Sequence, residues 1–270
     1  MKIPALVSLF AAAAMLAMVS GDAKAPAEGG YFLVPLQVRP NHRGQTFDPR
    51  VRQSNGTSTN WSGYAVETSL SSPQTDSVTD VQGSWTVPAT TAGTASRTYS
   101  SSWVGIDGYS DGTVEQIGTE QDWTSGQAKY YAWFEMYPKR SYLISGFPVS
   151  PGDAITTEVK YAGNGAYVLS ITNTTRGASF STTQRAPKAK NTSAEWVVEA
   201  PSSGGVLPLA NFGTTTLTGC TAVLNGHSGT IGDTAWQNDA ITMSSGSTVK
   251  AQPSSLSTDG SEFSVTWSHE

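Results

Sequence analysis

The chain has 270 residues, with 16 Lys+Arg against 21 Asp+Glu, a net charge of −5, and charged residues at only 14% of the sequence. This acidic balance argues against nucleic acid as a partner, and one cysteine, Cys220, excludes an internal disulfide and a cysteine-based zinc site. Three histidines, His42, His227 and His269, leave little room for metal or triad chemistry.

The first 25 residues have the composition of a secretory signal. Lys2 precedes an apolar run over residues 3–19, and small residues follow, with Ala-Lys-Ala at 23–25 in the form that signal peptidases cut. The run has about 17 residues, which is the lower limit for a membrane span. We therefore expect residues 1–25 to be removed and the protein to be secreted, with no membrane contact afterwards.

Residues 26–55 form a basic arm that is rich in proline and arginine. Residues 1–53 hold 6 Lys+Arg and 3 Asp+Glu, which leaves 10 and 18, a net charge of −8, for residues 54–270. This contrast predicts a pro-segment that charge holds to the body and that is released when the body's carboxylates are protonated. A flexible, disordered linker is the alternative, because such composition is also typical of flexible chains.

From residue 56 to residue 270 the sequence is typical of β-strands. Short runs rich in β-branched and aromatic residues are broken by turn-forming residues about every eight to twelve positions, and no segment keeps a helical apolar stripe. The dipeptides at 107–108, 164–165 and 225–226 are Asp-Gly or Asn-Gly, which favour tight turns. The prediction is one all-β domain, a sandwich or a barrel.

Alternation sorts the side chains of residues 131–137 into two faces. One face carries only apolar side chains and is the natural core face. The other face carries three aromatic rings and one carboxyl group, from Tyr131, Trp133, Glu135 and Tyr137. Such a face suits a groove for an extended polymer, and the alternative is an ordinary half-exposed strand whose aromatic residues pair across the sheet.

Two other runs contain the remaining polar candidates. Gln116 and Glu115 are neighbours and therefore face opposite sides of a strand, whereas Glu195 and Glu199 share a face. Phosphate-loop and dinucleotide motifs are absent from the sequence, so no cofactor or metal is expected. Two functions stay open from these residues: hydrolysis by a carboxylate base with a carboxamide at the oxyanion, and a lectin-like or glycoside-hydrolysing sandwich whose aromatic face stacks on sugars.

Six motifs in order along the chain resemble those of the glutamic peptidases, the eqolisin family. They are NWSGY at 60–64, GSWTVP at 83–88, WVGIDG at 103–108, EQIG at 115–118, WFEMYP at 133–138 and AEWVVE at 194–199. The resemblance implies an antiparallel two-sheet β-sandwich of the concanavalin-like jelly-roll type. It also implies secretion as a precursor and endopeptidase activity on polypeptides at acid pH. We expect the enzyme to be a monomer.

The resemblance also implies the residues of the site. The family's catalytic pair carries over onto Gln116 and Glu195. Other motif residues match positions that line or support the family's cleft, and the aromatic residues of the fifth motif's strand join them. The predicted substrate-binding set is Trp103, Asp107, Glu135, Trp133, Tyr131 and Tyr137.

The sequence departs from the family's pattern at a few positions. Fungal members usually carry disulfides, so the single Cys220 points to a bacterial-type branch, in which it is a small buried residue. Glu120 stands where the family has Asp, which leaves its supporting role open. Glu199 is a second candidate for the catalytic acid. Glu195 is preferred because it directly precedes the motif's tryptophan, whereas Glu199 precedes Ala-Pro at 200–201 and is expected to be an exposed strand-end carboxylate.

Overall fold

The computed structural model describes residues 30–36 and 56–270. The predicted signal at 1–25 and most of the basic arm lie outside these ranges. Within the ranges no helix is long and apolar enough to cross a membrane, and the backbone forms eighteen strands. In chain order they are β1 (Phe32–Pro35), β2 (Thr57–Ser58), β3 (Trp61–Glu67), β4 (Val78–Thr86), β5 (Arg97–Thr98), β6 (Ser101–Ile106), β7 (Val114–Thr124), β8 (Gln127–Tyr137), β9 (Tyr142–Ser145), β10 (Ala154–Gly163), β11 (Ala166–Asn173), β12 (Ala178–Arg185), β13 (Ser193–Glu199), β14 (Thr214–Leu224), β15 (His227–Thr230), β16 (Gln237–Ser245), β17 (Thr248–Pro253) and β18 (Phe263–Trp267).

The strands form two sheets that share one strand. The first sheet is antiparallel, in the order β1-β9-β8-β7-β6-β13-β3-β16. The second has the order β12-β11-β10-β4-β14-β18-β17-β16. Strand β14 also pairs with the short β15, and β2 makes a short parallel pairing with β16. Because β16 pairs first with β3 and then with β17, it joins the two sheets at one corner. The predicted all-β antiparallel sandwich is confirmed.

Two tryptophans fill the space between the sheets. Trp196 of the first sheet donates its indole N–H to the carbonyl oxygen of Gln82 at 2.6 Å, and Trp85 of the second donates to Thr119 Oγ1 at 3.0 Å. Gly83 makes room for this packing, since a Cβ there would lie 2.9 Å from Cδ1 of Trp196. These two hydrogen bonds and the packing of the rings hold the sheets together on the inner side of the strands that carry the predicted catalytic residues.

The basic arm contains a strand that the sequence pattern did not predict. Phe32–Pro35 pairs with Tyr142–Ser145 at the edge of the first sheet, and the Leu36 N–H continues the contact to the Ser141 oxygen at 3.1 Å. Only four residues take part, and the strand ends at a proline, which is tolerated at a sheet edge. A strand of four residues is too short for an alternating pattern of polar and apolar residues to identify it.

Candidate active site

Both predicted catalytic residues lie in one row of side chains that crosses the first sheet. Gly105 of β6 pairs with Gln116 of β7 on one side and with Glu195 of β13 on the other. Residues that lie opposite each other in neighbouring strands point to the same face of the sheet. Gln116 and Glu195 therefore share the outer face, and their Cα atoms are two strand spacings, about 9.5 Å, apart.

Gly105 keeps the space between the two side chains open. A Cβ at this position would lie 2.9 Å from Cζ3 of Trp103 and 3.2 Å from Cβ of Gln116, which is too close without a shift of those side chains. The glycine of the WVGIDG motif thus leaves a gap in the row. A peptide carbonyl or a water molecule in that gap would lie between a carboxamide and a carboxyl group.

The carboxamide of Gln116 is held in one orientation. Its Nε2 donates a hydrogen bond to Glu135 Oε2 at 3.0 Å, and Glu135 lies opposite it on β8. Because the nitrogen faces the acceptor, Oε1 points away, and this buried oxygen has no hydrogen-bond partner in the described part of the chain. The amide therefore keeps one N–H and one oxygen for water or a substrate carbonyl.

Glu195 is completely buried, and neither of its carboxyl oxygens has a hydrogen-bond partner among the described residues. Burial raises the pKa of this carboxyl well above its ordinary value, and the negative charges of Asp107, Glu67 and Asp111 raise it further. A carboxyl with a pKa raised in this way keeps its proton further up the pH scale.

Trp103 lies in the next row, between Gly118 and Val197, and is fully buried. Its indole N–H donates to Glu199 Oε2 at 2.9 Å, and Asn60 Nδ2 donates to Glu199 Oε1 at 3.1 Å. Glu199 is only 4% exposed. The expectation of a solvent-exposed strand-end carboxylate is therefore wrong, because residues distant in sequence cover this end of β13 and supply two donors.

Glu199 does not lie in the row of Gln116. It is four residues from Glu195 along β13, which corresponds to about 13 Å, and it pairs with Ser101 of β6. Glu120 pairs with the same Ser101 from the other side and is also buried. The two additional glutamates thus form their own row, while Glu195 alone faces Gln116 across Gly105.

The four β8 side chains that alternation assigned to one face do share it. Glu135, Trp133, Tyr131 and Tyr137 pair respectively with Gln116, Gly118, Glu120 and Val114 of β7. Trp133 is fully buried, whereas Tyr131 and Tyr137 are half-buried. These side chains therefore continue the outer face on the side of Gln116 that lies away from Glu195.

Asp107 directly follows the end of β6, two residues beyond Gly105. It is fully buried, its Oδ2 accepts from the backbone N–H groups of Lys190 at 2.9 Å and Asn191 at 2.8 Å, and its Oδ1 accepts from that of Thr192 at 2.7 Å. The carboxylate thus fixes the segment that leads into β13. This position favours support of the cleft over direct contact with a substrate.

The sequence pattern did not predict the residue at the far end of the row that contains Gln116 and Glu195. Asp239 of β16 lies opposite Ala65, which lies opposite Glu195, and the Tyr109 hydroxyl donates to Asp239 Oδ2 at 2.6 Å. Tyr109 belongs to an apolar cluster on this outer face, the cleft cluster: Trp61, Ala65, Trp103, Tyr109, Val114, Trp133, Val197 and Ile241. Alternation could have placed Asp239 on one face of β16, but nothing in the sequence indicates its register against β3.

Cys220 is buried with a free thiol, as predicted, and burial raises its pKa. The described ranges contain no group of three or more His, Cys, Asp or Glu side chains that could hold a metal ion. The polar groups that the row offers for chemistry are therefore the carboxamide of Gln116 and the carboxyl groups beside it.

Comparison with known proteins gives a consistent set of relatives. Residues 59–267 match the sequence model of the Peptidase A4 family. Aspergillopepsin-2 of Aspergillus niger is 31% identical over 207 residues, which cover 66% of this chain and 71% of that protein. Scytalidopepsin B of Scytalidium lignicola is 28% identical over 239 residues, which cover 82% and 87%.

Solved structures resemble the fold over most of its length. The crystal structure of scytalido-glutamic peptidase with a transition state analog inhibitor matches with a TM-score of 0.65 and 25% identity, covering 78% of this chain and 98% of that one. The crystal structure of aspergilloglutamic peptidase from Aspergillus niger matches with a TM-score of 0.57 and 28% identity, covering 63% and 99%.

Proposed function

This chain belongs to the Peptidase A4 family and is a glutamic peptidase, a hydrolase of peptide bonds, and from that premise we propose that Gln116 and Glu195 are its catalytic pair. The family resemblance of the six motifs is confirmed, and it decides between the peptidase and the sugar-binding alternatives. The observation that supports the pair most strongly is the row in which both side chains flank Gly105 on one face. The bacterial-type branch stays a prediction.

The proposed reaction uses the two side chains in turn. Ionised Glu195 takes a proton from a water molecule, and the water oxygen attacks the carbonyl carbon of the peptide bond. The free N–H of Gln116 donates to the oxygen that becomes negative, while Glu135 holds the other N–H of the amide. Glu195 then gives its proton to the departing nitrogen. An amide suits this task in acid because its donor does not titrate.

The raised pKa of Glu195 determines when it can act as a base. In the dry surroundings described above, the neutral form is favoured, but the attacking water would hydrogen-bond to the carboxylate and lower the pKa again. We therefore expect activity to rise with pH on the acid side as Glu195 ionises. The apparent pKa of this limb should exceed the value of about 4.3 for a free glutamate.

Work at acid pH is supported by the linkage between protons and folding. Burial and then the Asp107 charge raise the pKa of Asp111 to about 6, and burial raises the pKa of Glu195 as well. The folded chain therefore binds protons more tightly than the unfolded chain. The resulting stability is complete below the pKa of the unfolded groups, near 4, and is lost as the pH rises through the folded values.

We also propose that residues 1–25 direct secretion and that residues 26–55 are a pro-segment held to the body until acid releases it. The pairing of Phe32–Pro35 with β9 and the opposite charges of arm and body support attachment. N-terminal sequencing of the precursor after incubation at pH 3 and at pH 7 tests this. Equal retention of the arm at both pH values would contradict the idea.

Casein digestion at acid pH tests the catalytic pair. Gln116→Ala and Glu195→Gln should each lower kcat by about a hundredfold or more, since one oxyanion donor contributes about 2.7–4 kcal/mol to the barrier. Glu199→Gln is the matched control, because this buried glutamate on the same strand lies about 13 Å from Glu195. It should keep most of the activity, and the reverse ranking of the two glutamates would assign the acid to Glu199.

A further inference from the structure

Glu195, the proposed base, is not accessible to solvent. Its side chain is fully buried, whereas a base that takes a proton from water must be within hydrogen-bonding reach of that water and of the substrate. Gln116, across the gap at Gly105, is also only 4% exposed. The structure therefore shows a closed form of the cleft, and a part of the molecule that covers Glu195 has to move before a peptide can bind.

The loop between β6 and β7 is anchored on both sides of Tyr109. Before this residue, Asp107 accepts the backbone N–H groups of residues 190–192. After it, the Ser110 hydroxyl donates to Thr192 Oγ1 at 3.3 Å. Because the segment at 190–192 leads directly into β13, the backbone of Tyr109 is held beside the start of that strand.

The side chain of Tyr109 reaches from this position to a different strand. Its hydroxyl donates to Asp239 Oδ2 at 2.6 Å, and Asp239 lies on β16, which is separated from β13 by β3. Two strand spacings are about 9.5 Å, a span that the phenol and the aspartate side chain cover together. The ring of Tyr109 therefore crosses β3 on the outer face of the first sheet.

Ala65 is the residue of β3 that the ring crosses. It lies between Glu195 and Asp239 in their row, and it belongs with Tyr109 to the cleft cluster. The small alanine side chain leaves room for an aromatic ring above it. Tyr109 is only 5% exposed, so its ring is packed into the cleft and does not face solvent. The ring thus covers the row on the Ala65 side of Glu195, and Asp239 holds its far end.

We propose, on the basis of the catalytic role proposed above for Glu195, that Tyr109 is a strap across the cleft, which the hydrogen bond to Asp239 keeps closed over Glu195 in the free enzyme. When a polypeptide substrate binds, this bond breaks and the Tyr109 side chain rotates away from β3. A substrate side chain then packs on Ala65 in its place, and water and the peptide carbonyl reach Glu195. Because the loop is anchored on both sides of Tyr109, opening needs the rotation of one side chain and no movement of the backbone.

A closed strap lowers the apparent affinity for substrate. Substrate binds only to the open fraction of the enzyme, so the apparent dissociation constant rises as that fraction falls. A hydrogen bond to a carboxylate favours the closed form by about tenfold or more. Removal of this bond should therefore lower KM, and kcat should change little because it reports on the steps that follow opening.

Carboxyl labelling measures access to Glu195 without catalysis. The reagents are a water-soluble carbodiimide and glycinamide, and mass spectrometry reads the label at each residue. Tyr109→Phe keeps the ring and deletes the hydroxyl, so labelling of Glu195 should rise by about tenfold or more. The exposed Glu262 serves as the internal reference for the reagent. Unchanged labelling of Glu195 in this variant would overturn the proposal.

Tyr64→Phe is the matched control. Tyr64 is also 5% exposed and also donates its hydroxyl to a distant acceptor, the Ser254 carbonyl oxygen at 2.9 Å. It belongs, however, to the core between the sheets and not to the cleft cluster. Its substitution should leave Glu195 protected, and an equal rise in labelling in both variants would overturn the proposal because it would mean that general loosening exposes Glu195.

Asp239→Ala removes the other end of the strap at a half-buried position. It should raise the labelling of Glu195 as Tyr109→Phe does. The double variant should give no further rise, because both changes break the same hydrogen bond. Independent, multiplying effects of the two substitutions would overturn the proposal.

Casein kinetics at acid pH give a second readout. Tyr109→Phe should lower KM by about fivefold or more and keep kcat within about threefold of wild type. A raised KM would overturn the proposal, since it would mean that the hydroxyl binds substrate. Glu195→Gln reports separately on the catalytic role: an active Glu195→Gln variant contradicts that role whatever the labelling shows, whereas an inactive one with unchanged labelling in Tyr109→Phe contradicts the strap alone.

Discussion

The outer faces of the two sheets use polar side chains in opposite ways. On the second sheet, hydroxyl groups pair across neighbouring strands: Ser84 with Thr156 at 2.9 Å and Thr216 with Ser264 at 2.8 Å. On the first sheet, Glu195 and the Gln116 oxygen are buried and have no partner among the described residues. Paired hydroxyls cost little and do not titrate, whereas unpaired buried groups are costly and are retained where chemistry requires them.

The largest expected effect comes from closing the gap in the first sheet. Gly105→Ala would place a methyl group 2.9 Å from the Trp103 ring and 3.2 Å from Cβ of Gln116, so we expect kcat to fall by about a hundredfold, as for loss of an oxyanion donor. Gly112→Ala is the control, since a Cβ there meets nothing within 4 Å. Casein digestion by the two variants measures the difference. Equal activity would mean that the gap has no catalytic role.

The second-largest effect is expected in the pH dependence of the free energy of unfolding, because paired hydroxyl groups do not titrate whereas buried carboxyl groups do. Because the folded pKa of Asp111 is about 6 against an ordinary 3.8, raising the pH from 4 to 7 should cost about 2 kcal/mol at this residue alone. Urea unfolding at the two pH values measures it. Asp111→Asn should remove part of the difference, and a chain that is more stable at pH 7 than at pH 4 would contradict the sign.

Removing one donor from the first sheet should have a smaller effect. Trp103→Phe deletes the indole N–H that binds Glu199 together with part of the bicyclic ring. It leaves a buried carboxyl oxygen unpaired, at a cost of about 1–3 kcal/mol, in addition to the cost of the cavity. A double-mutant cycle with Glu199→Ala, which removes the acceptor, followed by urea unfolding, separates this contact from the cavity. Additive effects of the two substitutions would show that the hydrogen bond contributes nothing to stability.

The smallest effect is expected on the second sheet. Thr156→Ala removes one exposed hydroxyl from its pair with Ser84, and the other hydroxyl can bond to water instead. We expect a change in unfolding free energy within about 0.5 kcal/mol and unchanged peptidase activity. A large loss of activity would mean that the second sheet takes part in function and that the contrast between the faces is not the right division.

Local rules in the sequence were sufficient for the strands, several turns and the faces. The Asn-Gly dipeptides at 164–165 and 225–226 have positive φ at both positions, as type I′ hairpin turns require. Alternation correctly separated Gln116 from Glu115 and aligned Glu195 with Glu199, because a strand's period of two is a local property. The short strand Phe32–Pro35 was not predicted, since its support comes from distant parts of the chain: its pairing with β9 and the packing of Leu33 against the core.

The sequence by itself therefore determined the all-β class, the family resemblance and the face on which each candidate side chain lies. Only the tertiary structure decided which residues meet: Gly105 between Gln116 and Glu195, Asp239 at the end of their row, and the burial of Glu199 under Trp103 and Asn60. The physical reason is that alternation acts within one strand. Register, burial and the pKa shifts that follow from burial depend on strands that are distant in the chain.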